Sequence, residues 1–381
     1  MRALPSLEDV FDPRRNGLNV VRLALALGVV LWHSISMVGA GLPWQPAERL
    51  LLSGLVDGFF AVSGFLIVRS WLSDEDPVRF LSARALRIMP GFWVCLLVVA
   101  FVLSPLYLLL TGRGVDAAAL EDGASYVGHN ALLWIFQEDI AGMPAGGASG
   151  DDGVWNGSLW TLSWEFVCYL GVLALGVTGL LRRRWVLPAL FVLVLAVLAA
   201  ALLPALDHAY LVKHAARFGL MFLAGALLHQ FRHRVPVHGA LVALAAAVVV
   251  LGAVLVPADY RLVGALPLAY VVVVGGALAK HRLVQVRHDL SYGTYIYAYP
   301  VQQVLIGTVP GVRPLALFAL SVAGTLPLAA ASWWGVERPA QRLRRRWAPA
   351  RGTVREGPAA VVSGPERVNI GQTMSESDVS H

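Results

Sequence analysis

Charged residues are scarce in this chain of 381 residues, of which 14% are Asp, Glu, Lys or Arg and 57% are hydrophobic. A soluble globular domain carries about 25% charged residues. The mean hydropathy of +0.66 points the same way. The composition therefore excludes an ordinary soluble protein and predicts a chain that crosses the lipid bilayer several times.

Cysteine is also scarce, and two residues cannot form a disulfide framework or a cysteine-based metal site. Cys95 and Cys168 each lie in an apolar run, where cysteine packs as a small apolar side chain. The ten histidines show no spacing typical of metal ligands. We therefore expect no metal cofactor.

Basic residues give the chain a formal net charge of +6, but they are not interleaved with aromatic residues as on a nucleic-acid-binding surface. They form short clusters between apolar runs, as membrane proteins require. We expect the lipid bilayer to be a partner of this chain, and no nucleic acid.

The apolar runs predict an all-α membrane protein, a bundle of about ten transmembrane helices, since one span needs roughly 20 apolar residues. The predicted spans are residues 18–40, 51–72, 88–110, 159–180, 185–205, 212–231, 237–256, 261–279, 290–308 and 314–336.

The distribution of Lys and Arg predicts the orientation of these spans. Alternate connections carry clusters of basic residues, including Arg79, Arg84, Arg87, Arg182 to Arg184, Arg232, Arg234 and Arg342. The other connections carry Arg49, Arg113, Lys213, Arg261 and Arg313. By the positive-inside rule both termini lie in the cytoplasm, and we expect a multi-pass protein of the inner (plasma) membrane.

The chain divides by composition into a membrane domain, residues 1–347, and a tail, residues 348–381. The tail is polar and rich in Pro, Gly and Ser, a composition that cannot bury a core. We expect it to be a disordered cytoplasmic tail.

Two ionisable side chains interrupt the first predicted span, in the stretch NVVRLALALGVVLWHS. Arg22 and His33 are eleven residues apart, so at about 100° per residue they leave the same helix face, roughly 16 Å apart along it. Ionisable residues inside spans are candidate functional residues. The alternative is that Arg22 reaches the cytoplasmic headgroups and His33 the outer interface, which leaves their shared face a coincidence.

Further ionisable residues lie in or beside other spans. Asp57 lies near the outer end of the second span, and Glu165 lies inside the fourth, where it needs an internal partner. Arg84 and Arg87 are one turn apart at the inner membrane edge. Paired guanidinium groups suit phosphate binding, although ordinary positive-inside bias also explains them.

Small and aromatic polar residues accompany these charges. Ser63 lies near the membrane middle beside Gly64, where small residues also permit close helix packing. The ninth span contains LSYGTYIYAYPVQQ, in which Ser291, Tyr292 and Tyr295 can line a cavity. Tyrosine is, however, common at membrane interfaces.

Taken together, these stretches resemble the acyltransferase-3 family of integral membrane acyltransferases over residues 14 to 346. The most specific element is the arginine–ten residues–histidine pattern, met by Arg22 and His33. The similar segments are VDGFFAVSGFLI, RALRIMP, SLWTLSWEF, SYGTYIYAYPVQQ and VERPAQR. One departure is Ala298, which stands where many members have histidine, so no catalytic role is carried to that position.

The resemblance implies transfer of an acyl group, acetyl in particular, from cytoplasmic acyl-CoA to a hydroxyl of a surface or secreted glycan or a glycosylated small molecule. It implies that Arg22, Arg84 and Arg87 hold the phosphates of acyl-CoA. The substrate cavity is then lined by Ser63, Trp160, Ser291, Tyr292 and Tyr295.

In the same interpretation His33 is the catalytic residue. It acts either as general base on the acceptor hydroxyl or as the group that first takes the acyl chain. Asp57 or Glu165 orients the imidazole, and the sequence does not choose between them.

A transporter or flippase is the alternative hypothesis, with Arg22, His33 and Glu165 forming a substrate or proton path. No internal repeat is visible in the sequence, and many transporters are built from paired halves. This absence favours the acyltransferase interpretation.

Overall fold

The computed structural model of this chain describes residues 4–13, 15–145, 153–203, 210–281 and 288–347. Within these ranges the ordered elements are helices, and extended pairing is limited to isolated β-bridges. The predicted all-α fold is therefore confirmed. The expected tail, residues 348–381, lies outside the described residues.

Fifteen α-helices follow one another along the described part of the chain. Their bounds are α1 Leu7–Val10, α2 Leu18–Ser36, α3 Gln45–Arg49, α4 Leu55–Ser73, α5 Pro77–Val98, α6 Ser104–Leu110, α7 Ala117–Asn130, α8 Trp160–Val177, α9 Val186–Ala201, α10 Tyr210–Gln230, α11 Gly239–Leu255, α12 Arg261–Leu278, α13 Ser291–Thr308, α14 Pro314–Ser332 and α15 Arg338–Trp347. Single π-helical turns join α3 to α4, α5 to α6 and α14 to α15.

Each of the ten predicted spans overlaps a helix, and the third covers the end of α5, the π-helical turn and α6. In the described part of the chain, seven helices or joined helices are long and apolar enough to cross a membrane. Helices α9 and α11 are shorter apolar helices. The chain is thus a multi-pass membrane protein.

One helix, α5, begins well before the apolar run that predicts it. The third span was predicted to begin at residue 88, but α5 begins at Pro77. Asp76 caps this helix by accepting a hydrogen bond from the N–H of Arg79 at 3.0 Å, and proline is favoured in the first helical turn. The polar first turns of α5 therefore carry Arg84 and Arg87 on one rigid helix instead of a loop.

Helix α13 lies at the centre of the bundle, with thirteen of its eighteen residues buried. It packs against α2, and Gln302 donates hydrogen bonds to the carbonyl oxygen of Val30 at 2.9 Å and to the hydroxyl of Ser34 at 2.7 Å. Because neighbouring protein supplies such partners, the polar residues of α13 are tolerated at membrane depth.

Helices α4 and α10 approach each other closely at two glycines. A Cβ atom on Gly64 would lie 1.9 Å from the carbonyl oxygen of Phe222, and one on Gly225 would lie 1.8 Å from that of Ala61. Both distances are far shorter than a van der Waals contact. Glycine at these two positions therefore lets the two backbones touch.

We expect Gly64→Ala and Gly225→Ala to lower the free energy of unfolding by about 3 kcal/mol each, the upper end for overpacked sites. Thermal unfolding of the purified variants in detergent measures the effect. The matched control is Gly171→Ala, because a Cβ there meets no atom within 4 Å. Equal melting temperatures for all three variants would contradict the close helix contact.

Candidate active site

A cavity of about 150 Å³ runs through the bundle between α2, α4, α5, α8 and α13. We call it the arginine cavity. Eight of the predicted site residues line it: Arg22, Ser63, Arg84, Arg87, Glu165, Ser291, Tyr292 and Tyr295. On α4 the lining extends from Val56 to Ile67, which corresponds to roughly 16 Å along the helix axis.

One end of the arginine cavity is positively charged. Arg22 and Arg87 each bind a carboxylate oxygen of Asp289 at 2.5 Å. Arg87 also lies 3.6 Å from the carboxylate of Glu337. The side chains of Arg22 and Arg87 are 21% and 18% exposed, so solvent reaches this end of the cavity.

Arg84 lies on the same face of α5, one turn before Arg87. Its guanidinium packs 5.8 Å from the ring centre of Phe80 and lies 3.5 Å from the hydroxyl of Ser70. This end thus has three guanidinium groups and two acidic side chains, Asp289 and Glu337, which pair with Arg22 and Arg87. A third acid, Glu165, lies deeper in the cavity.

Asp289 is the residue of this cluster that the sequence did not reveal. It lies two residues before α13, and it accepts hydrogen bonds from the N–H and hydroxyl of Ser291 at 3.2 and 2.5 Å. Burial raises the pKa of its carboxyl, but the charges of Arg22 and Arg87 outweigh burial and lower the pKa to about 2. An acid directly before a tyrosine-rich span was the signal available.

The middle of the cavity contains a group of hydrogen-bonded polar side chains. Ser63 and Tyr169 donate to the same carboxylate oxygen of Glu165, at 2.9 and 2.5 Å. The hydroxyls of Thr161 and Tyr295 are 2.7 Å apart. Among the described residues, no group of three or more His, Cys, Asp or Glu side chains has the arrangement of a metal site.

His33 lies just beyond the arginine cavity. Its ring contacts the ring of Tyr299 edge to face, with centroids 4.9 Å apart. Tyr299 is one helical turn after the cavity-lining Tyr295, about 6 Å further along α13. Because Arg22 pairs with Asp289 and His33 packs on Tyr299, α2 and α13 run parallel, and Arg22 and His33 share the face that meets α13.

Asp57 lies outside the lining of the arginine cavity, and the structure gives its carboxylate a different setting from the one expected. The side chain is fully buried. Its two oxygens accept hydrogen bonds from Arg217 at 3.1 Å, from Arg261 at 2.6 Å, and from the hydroxyl of Tyr260. Asp57 thus belongs to a buried ion network that joins α4 to α10 and to the start of α12.

Trp160 also lies outside the lining of this cavity, although it was predicted to belong to it. Its ring packs against His214 and Phe218 of α10, with centroids 4.9 and 5.5 Å apart. The neighbouring Thr161 faces the cavity instead. Successive residues of a helix point about 100° apart, and this rotation separates the two side chains.

The fold and the cavity define a polytopic membrane protein with a buried basic site. The chain belongs to the acyltransferase-3 family: the family profile, described as an acyltransferase domain, matches residues 15–334. This protein is therefore a membrane-embedded acyltransferase, and the transporter hypothesis is set aside.

Three relatives align over most of their length. An O-acetyl transferase of Shigella phage Sf6 is 28% identical, over 85% of this chain and 96% of the relative. Nodulation protein 10 of Rhizobium leguminosarum bv. viciae is 28% identical, over 87% and 94%. The exopolysaccharide production protein ExoZ of Rhizobium meliloti (strain 1021) is 29% identical, over 76% and 90%. No solved structure matches this chain.

Proposed function

We propose that this protein is an inner-membrane O-acyltransferase that moves an acetyl group from cytoplasmic acetyl-CoA to a hydroxyl of a glycan. The observation that carries the proposal is the arginine cavity. It has three guanidinium groups at one end, and its length leads along α2 and α13 toward His33.

The donor is assigned by the chemistry of the basic end. Acyl-CoA combines a phosphate-bearing nucleotide with a long, thin arm that ends in a thioester. Guanidinium groups match phosphate oxygens in a forked geometry, and Arg22, Arg84 and Arg87 are at the end that solvent reaches. The nucleotide is held there, and the arm extends into the cavity toward Tyr295.

The acyl transfer itself is assigned to His33. The acceptor oxygen bonds to the acetyl carbonyl carbon, the carbon–sulfur bond breaks, and the hydroxyl proton passes through the imidazole to the departing CoA sulfur. In the second route an imidazole nitrogen bonds to the acetyl carbon as the carbon–sulfur bond breaks and CoA leaves as thiolate. The acceptor oxygen then bonds to that carbon, the carbon–nitrogen bond breaks, and the hydroxyl proton goes to the thiolate. Both routes need the thioester to pass Tyr295 and reach the turn of Tyr299.

The names of two relatives support a carbohydrate acceptor. One is named an O-acetyl transferase and another an exopolysaccharide production protein. A carbohydrate hydroxyl fits both names. The connection predicted to face the outside between α6 and α8 contains α7, which packs against α5 and the adjoining π-helical turn and lies on the side where such an acceptor would arrive.

The test of this function is release of CoA by the purified protein in nanodiscs. Acetyl-CoA is supplied with and without a crude glycan extract, and free thiol is followed over time. Acceptor-dependent release, with acetylated glycan detected by mass spectrometry, is the expected result. No release with acetyl-CoA or with a panel of longer acyl-CoA donors contradicts the proposal.

Arg87→Gln is expected to raise the KM for acetyl-CoA by about tenfold to a hundredfold, because hydrogen bonds to charged groups are worth about 1.5–3 kcal/mol. The kcat should change less, since Arg87 acts at the phosphate end. Initial rates at varied acetyl-CoA concentration measure both parameters.

Arg182→Gln is the matched control for this experiment. It removes one guanidinium from an exposed ion pair with Glu75, and neither residue lines the arginine cavity. An Arg87→Gln enzyme with the KM of the wild type, at an equal melting temperature, would falsify the phosphate assignment.

A further inference from the structure

A second cavity lies beneath the N-terminal segment, between that segment and the adjoining ends of α4 and α10. It has a volume of about 190 Å³, and its wall includes Glu8, Phe65, Arg69, His229 and Arg232. We call it the N-terminal cavity. One water needs only about 10–15 Å³ of such space, so a multi-atom ligand fits here.

The walls of this cavity carry more positive than negative charge. Arg232 pairs with Glu8 at 3.0 Å. The guanidinium of Arg69 packs 5.5 Å from the ring centre of Phe11. Within the described residues Arg69 has no ion pair, which leaves one guanidinium uncompensated.

A buried imidazole points to the same kind of ligand. His229 is 4% exposed, and its ring packs edge to face on Phe65 with centroids 5.5 Å apart. Within the described part of the chain, its Nδ1 atom is buried and has no hydrogen-bond partner. Buried polar atoms are rarely left in this state, so the free Nδ1 marks a position where a ligand can bind.

The N-terminal segment that covers this cavity is held in place by backbone hydrogen bonds. Leu7 and Glu8 donate N–H hydrogen bonds to the carbonyl oxygens of Val235 and Arg232 at 2.8 and 3.2 Å. Val237 donates to the carbonyl oxygen of Pro5 at 2.8 Å. The site is therefore built from fixed elements.

We propose that the N-terminal cavity binds a phosphate group, either on the headgroup of an anionic phospholipid or as free phosphate. Two guanidinium groups and one imidazole nitrogen provide donors around a space large enough for a phosphate ester. Basic pockets between helices on the cytoplasmic side bind anionic headgroups in this way.

This site is separate from acyl transfer. Helix α4 divides the two cavities, because Phe65 and Arg69 face the N-terminal cavity while Leu66 and Ile67 line the arginine cavity. Binding can therefore be measured without turnover.

Two ligand sources are tested separately on the purified full-length chain. In neutral detergent, the melting temperature is followed against inorganic phosphate, with sodium chloride at equal ionic strength as the reference. For the lipid, the protein is reconstituted in nanodiscs of phosphatidylglycerol or phosphatidylcholine. Native mass spectrometry then counts the lipids that remain bound after the protein is released from the nanodisc. We expect stabilisation by phosphate, retained phosphatidylglycerol, or both.

Arg69→Gln is expected to weaken that binding by about tenfold, since a charge-assisted hydrogen bond is lost. Arg232→Gln serves as the second variant if Arg69→Gln does not fold. Arg182→Gln, which alters an exposed arginine elsewhere, should bind like the wild type.

A phosphate effect identifies the free ion, and an effect confined to phosphatidylglycerol identifies the headgroup. Binding that is absent in the wild type, or reduced equally in Arg182→Gln, overturns the proposal.

Discussion

Replacing His33 by glutamine is expected to lower kcat for acetyl transfer by about a thousandfold, because a positioned general base contributes roughly 10²–10⁴ to the rate. The KM for acetyl-CoA should change little, since the proposed phosphate site is at the other end of the arginine cavity. Initial rates of CoA release measure both parameters. Glutamine keeps much of the size of histidine, so the packing against Tyr299 is retained.

The matched control is His129→Gln, which removes an exposed imidazole from α7 without touching the cavity. Incubation with acetyl-CoA but no acceptor then separates the two chemical routes. An acetyl adduct on wild type that is missing from His33→Gln establishes an acyl-enzyme. Wild-type turnover in His33→Gln would move the role of base to Glu165, which Glu165→Gln then tests.

Asp57→Asn is expected to lower the free energy of unfolding by about 3–5 kcal/mol, the cost of leaving buried charges without their partner. Arg217 and Arg261 are 16% and 7% exposed, and both lose the charge of the carboxylate that they share. Thermal unfolding in detergent measures this loss. Turnover per folded molecule should stay near that of the wild type, because the carboxylate is engaged away from the arginine cavity.

Two further variants make this result decisive. Asp74→Asn changes an exposed acid near the other end of α4 and should cost less than about 0.5 kcal/mol. The double variant Asp57→Asn with Arg217→Gln should regain part of the lost stability, because one uncompensated guanidinium is removed. A catalytic Asp57 would show the opposite pattern: an unchanged melting temperature with turnover reduced a hundredfold or more.

The positions of the helices could be predicted from the sequence because a bilayer imposes a minimum apolar length. The exception has a local cause. The apolar run of the third span begins near residue 88, but the cap at Asp76 and Pro77 starts the helix earlier. A hydropathy profile does not detect such caps, because polar helical turns outside the hydrocarbon core have the same low hydropathy as a loop.

Site residues that belong to a sequence motif could be predicted. The ion-pair partners of these residues, which come from distant parts of the chain, were harder to predict. Arg22 was identified as a candidate, but its partner Asp289 is 267 residues away and belongs to none of the motifs. Asp57 or Glu165 was expected to orient an imidazole, and the structure places Asp57 between two arginines. The direction that a helix presents to its neighbours decides such pairings, and one sequence alone does not fix it.

The ion pair between Arg22 and Asp289 has a consequence for biosynthesis. The first membrane helix leaves the ribosome long before the residue that neutralises its charge, because 267 residues separate the two. At about 5–20 residues per second, that interval is on the order of 10–50 s. During this time Arg22 must keep its charge at the lipid headgroups, so α2 settles at its final depth only when α13 is inserted beside it.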